Sequence, residues 1–124
     1  KIASSEGSNY TITTDGTYRY SGIITTYRNA AYDKVGTKSS TTTASSITVT
    51  SNNSVLLGIF TTNSGTVTSP TVTGMTLNYA DTDASNPSYA LFTQNVNSGS
   101  TGSKTCSGIS GGTINSALLS IKPV

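Results

Sequence analysis

The stretch Val55-Leu56-Leu57-Gly58-Ile59-Phe60 decides how this chain folds. It carries no polar side chain, and the turn-forming pair Asn52-Asn53 stands just before it. A run this short, containing β-branched and aromatic residues and opened by a turn signal, is too brief for a helix buried on all sides. It suits a strand covered on both faces. The chain is therefore expected to hold a sheet whose central strand has apolar cover above and below.

Outward from that strand the pattern stays β. Residues 46–50 alternate Ile47 and Val49 with polar positions, and residues 9–14 alternate Tyr10 and Ile12 with threonines ahead of Asp15-Gly16, a tight hairpin signal. A second strand is expected over 17–28, and others over 65–68, 75–79, 88–96, 103–107 and 114–122. Pro70, Pro87 and Pro123 fall outside the cores of these segments, as suits a residue without an N–H. Residues 29–46 have few large apolar side chains and many Ser, Thr and Lys. They read as a long surface loop, with at most a short edge strand, and as the region that meets a partner. No helical periodicity persists and no repeat has a fixed period. Short strands separated by turn signals about every ten residues predict an all-β fold, a two-sheet antiparallel sandwich of jelly-roll type, as one domain over residues 1–124.

Composition narrows the function classes. Ser and Thr make up about a third of the 124 residues, only 10% are charged, and the net charge is +2. The polar surface is thus built from hydroxyls and amides, and no run of basic residues offers a phosphate footprint, so nucleic acid is not an expected partner. The one cysteine, Cys106, has no internal disulfide partner and reads as a small buried apolar residue. No apolar stretch reaches the length of a membrane span, and no signal peptide precedes the domain. The start at Lys1 without an initiator Met points to a processed product or a piece of a longer chain.

The absence of histidine removes the commonest general base, the Ser-His-Asp triad and most zinc sites. What remains for acid/base or Ca²⁺ chemistry is Asp81 and Asp83 with Asn78. Their competing reading is as turn residues ahead of Asn86-Pro87 that bond their own backbone. Tyr18 and Tyr20 lie two apart on one face and Tyr32 on the long segment, which offers a sugar-stacking platform. The alternative places Tyr18 and Tyr20, in phase with Ile24, at the rim of the core. Two glycosylation sequons, Asn9-Tyr10-Thr11 and Asn52-Asn53-Ser54, matter only in a eukaryotic secreted source. No catalytic, cofactor-binding or metal-binding residue is assigned. Ile23, Ile24 and Tyr27, the 55–60 run, and Ala117 to Leu119 with Ile121 all set apolar side chains on both faces of expected strands. If those strands share a sheet, something covers its outer side.

The succession Lys1 to Gly7, then Ser21-Gly22-Ile23-Ile24-Thr25-Thr26-Tyr27-Arg28-Asn29, then 46–60, Thr73-Gly74-Met75-Thr76, Tyr89-Ala90-Leu91-Phe92 and Leu119-Ser120-Ile121-Lys122-Pro123 resembles the C-terminal part of β-sandwich modules of bacteriophage virion and tail-associated proteins. The likeness spans most of the chain, rests on packing and turn motifs, and brings no catalytic residue. It implies a jelly roll whose first strands lie outside this chain, supplied by another segment or a neighbouring subunit. It also implies a non-enzymatic virion component, a capsid decoration or cement protein or a tail or fibre module, binding other virion proteins and copies of itself, with Ile23, Tyr27 and Phe60 covered by another chain. The alternative function is a carbohydrate-binding or adhesive domain at a cell surface or on a tail, with surface glycans as partners.

Overall fold

The computed structural model describes residues 11, 13, 16, 22–82 and 87–124. Among them every regular element is a strand: β1 (Ala30–Val35), β2 (Thr43–Ala44), β3 (Thr48–Val49), β4 (Ser54–Thr62), β5 (Thr66–Val72), β6 (Thr76–Asp81), β7 (Ser88–Val96), β8 (Gly99–Ser100), β9 (Lys104–Ser110) and β10 (Ile114–Pro123). A large antiparallel sheet runs β1-β10-β4-β7-β6 and a small one β2-β9-β5. The short pair β3-β8 extends the small sheet past Ile47, whose carbonyl accepts from the Thr101 N–H.

The chain changes sheet at nearly every step. β1, β4, β7 and β10 belong to the large sheet, and β2, β5 and β9 between them to the small one. β10 therefore lands between β1 and β4, and β9 between β2 and β5. This is the winding of a jelly roll, two antiparallel sheets laid face to face.

Register fixes which side chains meet. Opposite residues in an antiparallel pair point to the same face. Leu56 opposes Gln94 and Ser120, Gly58 opposes Phe92 and Leu118, and Phe60 opposes Ala90 and Ser116. These positions face inward and join Ala44, Val67, Val72, Cys106 and Ile109 of the small sheet in one core. The rings of Phe60 and Phe92 meet edge to face, 5.9 Å apart at 85°. Gly58 makes room beside them, because a Cβ there would stand 3.1 Å from the Phe60 ring and 3.3 Å from Met75 Sδ. Cys106 is buried in this core, and burial pushes its thiol up to about 11, so it packs as an uncharged small residue.

Two sequence expectations need correction. Residues 29–46 are not one loop: they contain β1, the edge of the large sheet, and β2. After β1 the chain keeps following β10, through Gly36 N–H to Leu118 O and a reciprocal Ser39–Ser116 pair. Pro70 and Pro123 lie inside β5 and β10, not outside the strands. Pro70 is accommodated because β5 is an edge and its ladder slips between Val67 and Thr71, opposite Gly108 at φ +75°. The slip also resets the alternation, so that Val67, Pro70 and Val72 are all buried. Of the expected strands, most of 9–14 and residues 17–21 lie outside the described residues; residues 22–28, the larger part of the expected strand over 17–28, are not strand and pair with none.

Candidate functional site

The outward face of the large sheet is as apolar as its inward one. Val55, Leu57 and Ile59 of β4 stand there beside Ala117, Leu119 and Ile121 of β10 and Leu91 of β7. Leu57 and Leu91 are only 3% and 2% exposed although they point away from the small sheet. The adjacency expected for the 55–60 and 117–121 runs is thus realised, with the outer side covered. Tyr89 and Tyr79 stack at 5.5 Å toward the β6 edge of the same face.

The segment 22–29 crosses this face. At one end the Tyr89 hydroxyl donates to Gly22 O at 2.9 Å. At the other, Val124 N–H donates to Asn29 O at 3.1 Å, and Tyr27 and Arg28 stand over Val55 and Ile121. Tyr89 opposes Thr61, at the far end of β4 from Val55, so the crossing covers about 20 Å, the reach of six extended residues. The segment lies on the surface with its apolar side chains exposed, Ile24 most at 65%, Ile23 and Tyr27 less at 39% and 36%. Tyr32 and Val35 on β1 are about as exposed as Ile24. Phe60, expected on the outer side with Ile23 and Tyr27, points inward and is fully buried in its own chain; it faces the core and no partner can reach it.

Where the segment ends, a shallow cavity of about 150 Å³ opens between the bend at Arg28-Asn29, the turn at Asn53 and the C-terminal end of β10. Val55, Ile121 and Pro123 form its apolar lining, and Tyr27, Arg28, Asn53 and Lys122 its polar one. Asn29 and Asn53 hold left-handed backbone, φ 50° and 55°, which small amide side chains tolerate. The turn before Asn53 is braced by Asn52 Oδ1, which accepts from Ser98 N–H at 3.0 Å and Ser98 Oγ at 2.9 Å. Tyr32 opposes Ile121 and so shares its face of the sheet, next to the cavity. The carboxylate closest to Lys122 in its influence is Asp33, and it is already engaged. Thr50 N–H donates to its Oδ2 at 3.0 Å, Ser120 Oγ to the same oxygen at 2.9 Å, and the Thr50 hydroxyl to Oδ1. Asp33 sits where the β1-β10 register slips, and the bulge turns it inward. Burial raises its pKa, but the Thr50 and Ser120 bonds with the Lys122 charge outweigh this and hold the carboxyl below its ordinary range.

The remaining expected residues do not converge. Asp81 ends β6 opposite Tyr89, and Asn78 Oδ1 accepts from Thr93 Oγ1 at 2.7 Å within the sheet. Asp83, Tyr18, Tyr20 and Asn9 lie outside the described residues. Among the described residues no group of three metal-ligating side chains occurs, and no helix is long and apolar enough to cross a membrane. The surface opposite, on the small sheet, is lined by paired hydroxyls: Thr43 with Thr105 at 2.9 Å, Thr66 with Ser110 at 3.2 Å and Thr71 with Ser107 at 2.6 Å. Sequence reasoning reached Tyr32 and the apolar outer face but missed Arg28, Asn53, Lys122 and Asp33. Only Asn53 carries a local signal, the Asn52-Asn53 turn, and that signal points to no site; the strand register brings the residues together. No family model, curated protein or solved structure matches the chain.

Proposed function

We propose that this chain is a non-enzymatic structural module of a virion, a capsid decoration, cement, tail or fibre component, working through contacts with other virion proteins and with copies of itself. The observation that carries this reading is the outer side of the large sheet: largely aliphatic along β4 and β10, crossed by a segment that itself leaves Ile23, Ile24 and Tyr27 exposed, and flanked by Tyr32 and Val35. A clustered apolar surface of this kind is unusual on a free domain and suits burial against a neighbour. The jelly-roll winding is compatible with such a role, since capsid domains use it; lectins use it too, so the fold alone does not choose. Ile24→Glu with Tyr32→Glu places charge on the exposed surface without entering the core. Native mass spectrometry of assembled particles is expected to show wild-type chain at fixed copy number and the double variant absent. Recovery of both forms as free monomers from every particle preparation overturns the reading.

A further inference from the structure

We propose that the cavity at the end of the large sheet, between Arg28, Asn53 and Lys122, binds a carboxylated sugar unit, a uronic or sialic acid residue of a glycan. The inference does not rest on the virion reading: it follows from the cavity's own chemistry and holds or fails separately.

A pyranose presents an apolar C–H face and a hydroxylated rim, and an acidic sugar adds one anionic fork. The cavity offers a counterpart to each. Val55 and Ile121 give an apolar surface, the exposed rings of Tyr27 and Tyr32 stand beside it, and aromatic faces are suited to stack on C–H groups. Asn53 contributes an amide able to donate and accept, as vicinal hydroxyls require. Arg28 supplies the cation of the cavity and among the described residues is held in no ion pair. Lys122 borders the cavity too, but its strand position turns it toward the Asp33 side of the sheet, so it adds positive charge from behind rather than a direct contact. The Asp33 carboxylate nearest to Lys122 in influence spends its oxygens on Thr50 and Ser120. An arginine fork that no protein carboxylate occupies matches a ligand carboxylate in two parallel hydrogen bonds.

Size and rigidity narrow the ligand. About 150 Å³ lies below the range of pockets that enclose drug-sized molecules, so one ring enters and the rest of a glycan stays outside. Both walls are braced in advance, the turn by Ser98 on Asn52 and the bend by Val124 N–H on Asn29 O, so binding orders little new structure. A polyphosphate chain would need a basic track beyond the cavity, and the seven basic residues of the chain are scattered.

The test is titration of the ¹⁵N-labelled full chain with tetragalacturonate, sialyllactose, neutral lactose and tetraglutamate. Saturable shifts are expected for at least one of the two acidic saccharides, centred on residues 27–29, 53 and 121–123, with lactose at least tenfold weaker. Arg28→Ala should weaken the acidic saccharide at least tenfold, Lys122→Gln and Tyr32→Ala severalfold, and Lys104→Gln on the small sheet not at all. Lys122→Gln keeps the aliphatic stem, and an unchanged dispersed spectrum shows that each variant is folded. The proposal is overturned if neither acidic saccharide binds, if lactose or tetraglutamate binds as tightly, or if Lys104→Gln weakens binding as much as Arg28→Ala. None of these results bears on whether the chain assembles into particles.

Discussion

The two sheets turn opposite kinds of surface outward. On the small sheet the exposed positions of β5 and β9 are all hydroxyls or glycine, on both sides of the slip that interrupts the alternation, and the hydroxyls pair across the strands. On the large sheet the outward positions from Val55 to Ile59 of β4 and from Ala117 to Ile121 of β10 are aliphatic and half or fully covered, with polar Thr61 and Asn115 beyond them at one end. A sheet finished on its outer side by hydroxyl pairs needs nothing more from its surroundings, whereas an aliphatic outer side stays incomplete until something lies on it. The small sheet thus presents a hydroxyl surface satisfied within itself, and the large sheet an aliphatic one that the 22–29 segment covers only in part.

The sharpest way to break that comparison is to place one charge on each outer side. Leu91→Lys sets an ammonium on the covered face and is expected to cost about 3–5 kcal/mol in urea unfolding, the penalty of an unpaired buried charge. Ser107→Lys on the hydroxyl face should stay within about 0.5 kcal/mol of wild type. Equal losses would show that the two faces are not different in kind.

A smaller effect is expected at the seam between the sheets. The lowered pKa of Asp33 means that its ionised form is favoured by folding. The stability it contributes is present above the unfolded value of 3.8 and is lost as pH falls through the lower folded value. Asp33→Asn removes a charge-assisted acceptor and is expected to cost about 2 kcal/mol at pH 7. It should also flatten the dependence of the denaturation midpoint on pH below the unfolded value. An unaltered acid limb would remove Asp33 from the account.

The smallest effect concerns the crossing segment. Tyr89→Phe deletes the bond to Gly22 O at a cost of about 1 kcal/mol, with the ring stack on Tyr79 kept. The expected readout is faster tryptic cleavage after Arg28, with β4 amides still protected from exchange. If cleavage is unchanged, the Val124–Asn29 bond and the side-chain contacts hold the segment without Tyr89.

Much of the fold was legible because strong signals were local. The dense 55–60 run, the 88–96 segment and the alternating 114–122 segment became β4, β7 and β10, the middle of the large sheet. The segment 29–46 reads as loop with at most a short edge strand because Ala30-Ala31-Tyr32-Asp33-Lys34-Val35 has the small, charged composition of an edge strand, so composition leaves the six-residue extent and the sheet of β1 unspecified. Pro70 was misplaced because a slipped edge removes the usual objection to proline, and such a slip leaves no mark in the sequence beyond Gly108 on the partner strand. The cavity was invisible for a related reason. Arg28 and Lys122 come together only because the ladder sets Ala31 opposite Lys122, a matter of register and not of spacing.

The position of β10 between β1 and β4 has a consequence for how the molecule comes to be made. Asp33 meets Ser120 across 87 positions of chain, and until residues 114–123 arrive, β1 and β4 have no strand between them. A growing chain must hold its aliphatic strands open through most of its synthesis, and the pairing that finally joins them is slow, on the order of milliseconds to seconds, because it closes the longest loops. During that interval the 55–60 run, without a polar or charged side chain of its own, is the part of the chain most prone to pair with another copy.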